Sequence, residues 1–288
     1  MASNLMIIIG GHVSAAGGVL KSLDRATELG FASIQIHPTG PQSWSRPTTT
    51  DEVSSEFATR YPALNIQSVF FHNIYLNNFA SENNPGWHGS IGISQSYMQL
   101  AAKMQVSGIV THLGSHKGAG MAAVLERVCE GLERVLAESP AATDFIIENT
   151  AGAGGTIGRS LEEIEMIWER IIPHYPNLGI CIDTCHTFAA GIPIHTTEGL
   201  EQFIQEFKNR FGIAALKIIH LNDSKFPFGS LKDRHENLGF GHLGDEALSR
   251  ILQHPELQSI PFVMEVPGLE GHGPDVANRE HAEKLATS

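Results

Sequence analysis

Gly179-Ile180-Cys181-Ile182-Asp183-Thr184-Cys185-His186 is a short apolar run that ends in a carboxylate, with an imidazole three residues later. Pro176-Asn177 precedes it and Ala189-Ala190-Gly191 follows it. An apolar run of this length suits a strand covered on both faces, as in a parallel sheet. Asp183 then sits where strand becomes loop. A carboxylate there is costly unless something pairs with it, so a cation near Asp183 and His186 is the first expectation.

Outward from this stretch, the same alternation of strand and helix fills the chain. Strands are expected over Leu5–Ile9, Ala32–Ile36, Ile66–His72, Gly108–His112, Asp144–Glu148, Gly179–Asp183, Leu216–Leu221 and Pro261–Glu265. Helical periodicity runs over Val19–Leu29, Ile91–Met104, Met121–Ala137, Leu161–Ile172, Leu200–Phe211 and Gly244–Gln253. Gly10 to Gly18 reads as a glycine-rich turn, and its spacing departs from a dinucleotide fingerprint. Eight strands separated by helices fit an α/β fold of the (β/α)8 TIM barrel type, whereas a doubly wound sheet usually stops at five or six. No linker or composition break divides residues 1–288, so a single domain is expected.

The strand ends carry the chemistry. From the third strand onward they are His72, His112, Glu148, Asp183, His220 and Glu265, all metal-ligand types. In a barrel these positions surround one mouth, the C-terminal face on which catalysis is found in this fold. His186 follows Asp183, and Asp233-Arg234-His235 follows the seventh strand as an Asp-x-His pair. Five histidines and four carboxylates exceed what one ion takes, so a cluster of two or three ions at the C-terminal face fits better. Nitrogen and carboxylate donors without thiolate favour Zn, Mn or Fe over Mg or Ca. Cys181 and Cys185 lack a second cysteine pair and read as packed thiols. His12 and His116 are expected to support the cluster, while His88, His174, His254 and His281 read as surface residues. Glu162, Glu163 and Glu165 read as the solvated face of a helix.

Composition sets limits on partners. With 288 residues, 42% of them hydrophobic, the chain can bury a large core. A formal charge of −12 excludes a general basic coat for nucleic acid, although bound dications would offset part of that deficit. Three cysteines point to a reducing compartment rather than a disulfide scaffold. Met1 to Asn4 carries no basic residue and no stretch is long and apolar enough for a membrane span, so a soluble, cytoplasmic protein is expected.

These residues are familiar as an ordered set. Gly11-His12-Val13-Ser14-Ala15-Ala16-Gly17-Gly18, His72 with Tyr75-Leu76, His112-Leu113-Gly114-Ser115-His116 and Glu148-Asn149-Thr150-Ala151-Gly152 come first. Cys181-Ile182-Asp183-Thr184-Cys185-His186, His220-Leu221-Asn222-Asp223, Asp233-Arg234-His235 and Glu265 follow. The chain thereby resembles, over nearly its full length, the endonuclease IV family of apurinic/apyrimidinic endonucleases of DNA base-excision repair.

The resemblance implies about three zinc ions per chain, with Mn2+ or Fe2+ able to stand at some positions. It implies that Glu148 bridges two of them, one also held by His72 and His112 and the other by Asp183, His220 and Glu265. His186, Asp233 and His235 would hold the third. It further implies hydrolysis of the phosphodiester 5′ to abasic sites in duplex DNA, leaving a 3′-hydroxyl and a 5′-deoxyribose phosphate, and removal of blocking groups from 3′ ends. Tyr75 and Leu76 match residues of a loop that penetrates DNA at the lesion. Gln42 stands where the family often carries a basic intercalating residue, which implies a weaker lesion grip, and Phe240 replaces a common acidic residue. A monomer without organic cofactor is the family precedent. The alternative is a metal-dependent sugar isomerase or epimerase of the same barrel type, which would use Glu148, Asp183, His220 and Glu265 alone.

Overall fold

The computed structural model describes residues 7–287. β1 (Ile9–His12), β2 (Ser33–Ile36), β3 (Ser68–His72), β4 (Gly108–Thr111), β5 (Asp144–Glu148), β6 (Leu178–Asp183) and β7 (Leu216–His220) form in order along the chain. Between them lie α1 (Val19–Leu29), α2 (Asp51–Ala63), α3 (Asn84–Lys103), α4 (Met121–Leu136), α5 (Leu161–Ile171), the short α6 (Thr184–Ala189) and α7 (Thr197–Phe211). A hairpin of β8 (Asp223–Ser224) and β9 (His235–Glu236) follows, then α8 (Gly244–Gln253), β10 (Phe262–Met264) and α9 (Val276–Thr287).

The eight long strands close a parallel barrel in the order β1-β10-β7-β6-β5-β4-β3-β2, with β2 returning to β1. This is the TIM barrel that the alternation of strands and helices predicts. Phe70, Val110, Ile146, Cys181, Ile218 and Val263, one from each of six strands, pack as a single buried layer. Side chains two residues apart share a face of a strand. The residues two beyond that layer are therefore His72, His112, Glu148, Asp183, His220 and Glu265, which the layer supports from below. The larger core fills the space between barrel and helices.

Several boundaries differ from the sequence expectation. Of the first expected strand, Leu5 and Met6 lie outside the described residues, as does the stretch Met1 to Asn4, and the observed strand continues through Gly10, Gly11 and His12. Gly10 is there because β2 passes too close for a side chain: a Cβ would stand 1.7 Å from the Ser33 carbonyl oxygen. His112 and Glu265 each follow a strand by one residue rather than ending it. α3 starts at Asn84, seven residues before the expected Ile91, with a proline in its first turn. α2 shows no apolar stripe, since only Ser54 and Phe57 are buried, and it is marked mainly by the Thr50 side chain accepting from the Val53 amide.

Two further expectations are corrected. His254 is buried, with its Nε2 3.3 Å from Glu201. Glu162, Glu163 and Glu165 of α5 are bonded as well as solvated: Glu162 and Glu165 pair with Arg210 of α7, and Glu163 accepts from the Gly158 and Arg159 amides. Among the described residues no helix is long and apolar enough to cross a membrane.

Candidate metal centre

The barrel mouth gathers all nine candidate ligands into one cluster centred on Glu148, which is wholly buried. His72 Nε2 and His112 Nε2 lie 3.2 and 3.3 Å from Glu148 Oε2. On its other oxygen, Oε1, His220 Nδ1 lies at 3.0 Å and His186 Nδ1 at 3.4 Å. His220 Nδ1 also stands 3.4 Å from Glu265 and 3.9 Å from Asp183. Farther out, His235 Nε2 is 3.4 Å from Asp183 and 3.6 Å from Asp233, and His186 Nε2 is 3.1 Å from Asp233. Four sets of donor atoms are close enough to surround an ion: His72, His112 and Glu148; Glu148, Asp183, His220 and Glu265; Asp183, His186 and His235; and Glu148, Cys181 and His220.

Local structure puts two of these residues somewhere the sequence did not suggest. Asp183 is the N-cap of α6, its Oδ1 accepting from the His186 amide at 2.9 Å. His186 is therefore on the first turn of a helix, not in a loop, and the cap fixes its distance from Asp183. His235 lies on β9, paired to β8.

Hydrogen bonds decide which ring nitrogen faces inward. His72 Nδ1 contacts the Asn73 carbonyl at 2.7 Å, His186 Nδ1 the Asn149 carbonyl at 3.0 Å, His235 Nδ1 the Glu265 carbonyl at 3.3 Å, and His220 Nε2 the Gln35 side-chain oxygen at 2.9 Å. Each partner can only accept, so that nitrogen carries a proton and donates. In the neutral ring the other nitrogen is then a lone pair pointed at carboxylate oxygens, which repel it. Metal-binding imidazoles are held in this way. His186 Nε2 and His235 Nε2 are buried and lack hydrogen-bond partners, although carboxylate oxygens lie within 3.1 and 3.4 Å. That is proximity without the alignment of a hydrogen bond, as expected for donors converging on a point between them.

The charges agree. Burial raises the Glu148 carboxyl, but His112, His220 and His72 together outweigh it and hold the group well below its usual 4.5. Burial also opposes a proton on His186, yet Asp183, Asp233 and Glu148 push it up to about 10. The same contest raises His72, through Glu148 and Glu265, and raises His220 well above its usual value. His112 goes the other way, because its burial outweighs the pull of Glu148. A site that tightens so strongly on positive charge has the electrostatics of a cation site. Cys181 lies within reach of Glu148 and His220, but burial pushes its thiol up to about 12, so it stays protonated and packs.

Other residues at the mouth were less legible. Gln35 of β2 donates to Glu265 at 2.6 Å, Asn222 donates to Asp183 at 2.7 Å, and Asn149 accepts from the Asp183 amide at 2.6 Å. The only sequence sign of Gln35 is a polar residue inside an otherwise apolar strand. His12 approaches Glu265 at 3.1 Å, whereas His116 turns its Nδ1 to the Gly118 and Gly120 amides of its own loop. His37, not singled out from sequence, packs its ring 4.6 Å from His12 and 5.3 Å from Tyr75. An open cleft over the cluster is lined by His72, Tyr75, His186, Asp233, Arg234 and Glu265, among others. Tyr75 and Leu76 are 59% and 40% exposed on its rim, and Gln42 is exposed in the neighbouring loop. The Tyr75 amide donates to the Pro41 carbonyl at 2.9 Å, which ties the two loops together.

A family model described as xylose isomerase-like TIM barrel matches residues 23–286. A protein of Halothermothrix orenii named probable endonuclease 4 is 34% identical over 268 residues, spanning 93% of this chain and 96% of that one. Its namesake in Thermotoga maritima is 33% identical over 282 residues, spanning 97% and 95%. Among solved structures, endonuclease IV from Thermus thermophilus superposes with a TM-score of 0.84 at 28% identity, covering 96% of this chain and 98% of that one.

Proposed function

Because the chain belongs to the endonuclease 4 family of xylose isomerase-like TIM barrels, it is a DNA-cleaving hydrolase, and we propose that its specific reaction is hydrolysis of the phosphodiester 5′ to an abasic site in duplex DNA. The products would be a 3′-hydroxyl and a 5′-deoxyribose phosphate, and the same site would clear blocked 3′ ends. One domain over residues 1–288, acting as a monomer without an organic cofactor, carries the activity in this reading.

The observation that supports it most is the set of inward-facing ring nitrogens on His72, His186, His220 and His235, each fixed by a carbonyl behind the ring and aimed at carboxylates. Nitrogen and carboxylate donors without thiolate fit zinc, with Mn2+ or Fe2+ as alternatives at some positions. In this assignment His72, His112 and Glu148 hold one ion, and Glu148, Asp183, His220 and Glu265 a second. His186, Asp233 and His235 hold the third. Bound zinc would supply Lewis acidity toward a phosphoryl oxygen and would bring the acidity of water toward neutral pH.

The protein's own groups would do the rest. Glu148 presents one oxygen to His72 and His112 and the other to His220 and His186, so it spans two subsites and orients the attacking water. Asp233 and His235 bracket Arg234 at the edge of the cleft, where a guanidinium can receive phosphate oxygens. Tyr75 and Leu76 would enter the duplex at the lesion, with Gln42 beside them. An abasic nucleotide has no base to unstack, so its extrusion costs least, which gives part of the selectivity.

A sugar epimerase would need only Glu148, Asp183, His220 and Glu265. The convergence of His72, His112, Asp233 and His235 on the same mouth favours the nuclease. Incubation with a duplex carrying one abasic analogue, and separately with keto-sugars, discriminates the two. Incision without added Mg2+ supports the nuclease; turnover of a keto-sugar with intact duplex would replace it.

A further inference from the structure

The segment after β7 builds a feature that the incision site does not use. Asp223 is fully buried, and one of its oxygens, Oδ2, accepts from the amides of Gly239 at 3.1 Å and Gly241 at 3.0 Å, the two residues flanking Phe240. Its other oxygen accepts from Ser224 at 2.7 Å and Leu243 at 2.9 Å. The loop cannot relax around this carboxylate: Gly239 is in the left-handed region at φ 79°, and a Cβ on Gly241 would stand 2.4 Å from Asp223 Oδ1. Phe240 is thus held at the tip of a clamped loop with 74% of its surface exposed.

An aromatic side chain fixed in water is a recognition feature when its surroundings fit a partner. Every large apolar side chain left exposed among the described residues stands in the loops after β2, β3, β7 and β10 or at the start of α9, that is, toward the catalytic face. In the ring of eight strands β7 and β3 lie four places apart in either direction, and the segment bearing Phe240 reaches the same cleft as Tyr75 through Asp233, Arg234 and His235. The same segment carries Lys225, Lys232 and Arg234 in a chain of net charge −12. It has three acidic members, Asp223 held by amides, Asp233 held by His186 and His235, and Glu236, which accepts from the Asn237 amide.

We propose that Phe240 is a second apolar contact to duplex DNA, packing on sugar and base faces beside the lesion, with the cations of the same segment on the backbone. The inference rests on the nuclease reading and deepens it. Phe has no hydrogen bond to give, so the contact adds affinity for flanking duplex rather than sequence choice.

The test uses the full-length, zinc-loaded protein. F240S, which alters only an exposed tip, is compared with wild type for incision of a duplex bearing one tetrahydrofuran site and for binding to that duplex and to an intact one. A KM raised about tenfold, with kcat within about twofold and a similar loss on both duplexes, is expected, with F240W restoring affinity. Unchanged binding to both duplexes overturns the proposal, as does a fall in kcat alone. A shift in oligomeric state by sedimentation with DNA binding intact would assign the tip to a protein contact instead. Wild type that binds duplex but never incises it would remove the nuclease reading, while the binding comparison still decides the role of Phe240.

Discussion

Glu148 shows how much one side chain can be made to depend on its neighbours. It is buried among imidazoles on both oxygens, and its charge is compensated only by them and by whatever cation they share. A Glu148→Gln variant keeps the shape and removes the charge. Its far-UV circular dichroism should match wild type while incision falls by about three orders of magnitude or more; near-normal incision would end its assigned role. Removing the metal exposes the proton chemistry of the same residues. In chelator-treated protein His186 titrates at about 10 rather than the ordinary 6.5, so its contribution to stability is fully present below pH 6.5 and is lost as pH rises toward 10. Glu148 and Glu265 are held below 4.5, so theirs is present above that value and is lost in acid. His37, His12 and His112 are held below 6.5 by burial, so their contribution is lost as pH falls below that value. The Tm of stripped protein should therefore peak near pH 6.5 and decline toward pH 10, and a flat or rising Tm above pH 6.5 would contradict it. At this scale six of the candidate ligands, His72, His112, Glu148, Asp183, His220 and Glu265, were legible because each is a polar residue closing an apolar strand. Gln35 and His37 were not, because a single polar residue in or just after a strand carries no sign of which face it takes.

At the scale of elements, α6 matters most. Its N-cap and first turn bring Asp183 and His186, three residues apart, into one donor set with His235, while Asp183 also belongs to the set of Glu148, His220 and Glu265. The stretch Gly179 to His186 that reads from sequence as two ligands of one ion is thus also a junction between two sets. The helix itself is too short for periodicity to show. β1 was misread because its glycines answer to the closeness of β2 rather than to a turn, and α2 because it buries too little to show a stripe. The β2 and β3 loops are joined through the Tyr75 amide, with Tyr75 propped by His37 and His72. Tyr75→Ala should weaken binding to abasic duplex by about tenfold, and more than binding to intact duplex. Equal losses on the two duplexes would make Tyr75 a structural residue.

The whole molecule resolves a conflict set by its composition. A chain of charge −12 repels DNA on average, yet it concentrates unpaired donors and buried carboxylates at one mouth, where bound dications would reverse the local sign. The parallel barrel makes this possible, because residues scattered from His72 to Glu265 reach one volume only when the sheet closes. The closure was legible as a count of strands; the hairpin that delivers Asp233 and His235 was not, since two-residue strands leave no pattern. The central claim is that this convergence holds a multi-ion centre on which incision depends. It is tested most directly by stripping the protein with a chelator and titrating zinc back while following nicking of an abasic duplex. Nicking should be absent in the stripped protein and should recover as about three equivalents bind. Nicking that survives stripping, or that is complete with one bound ion, would contradict the account.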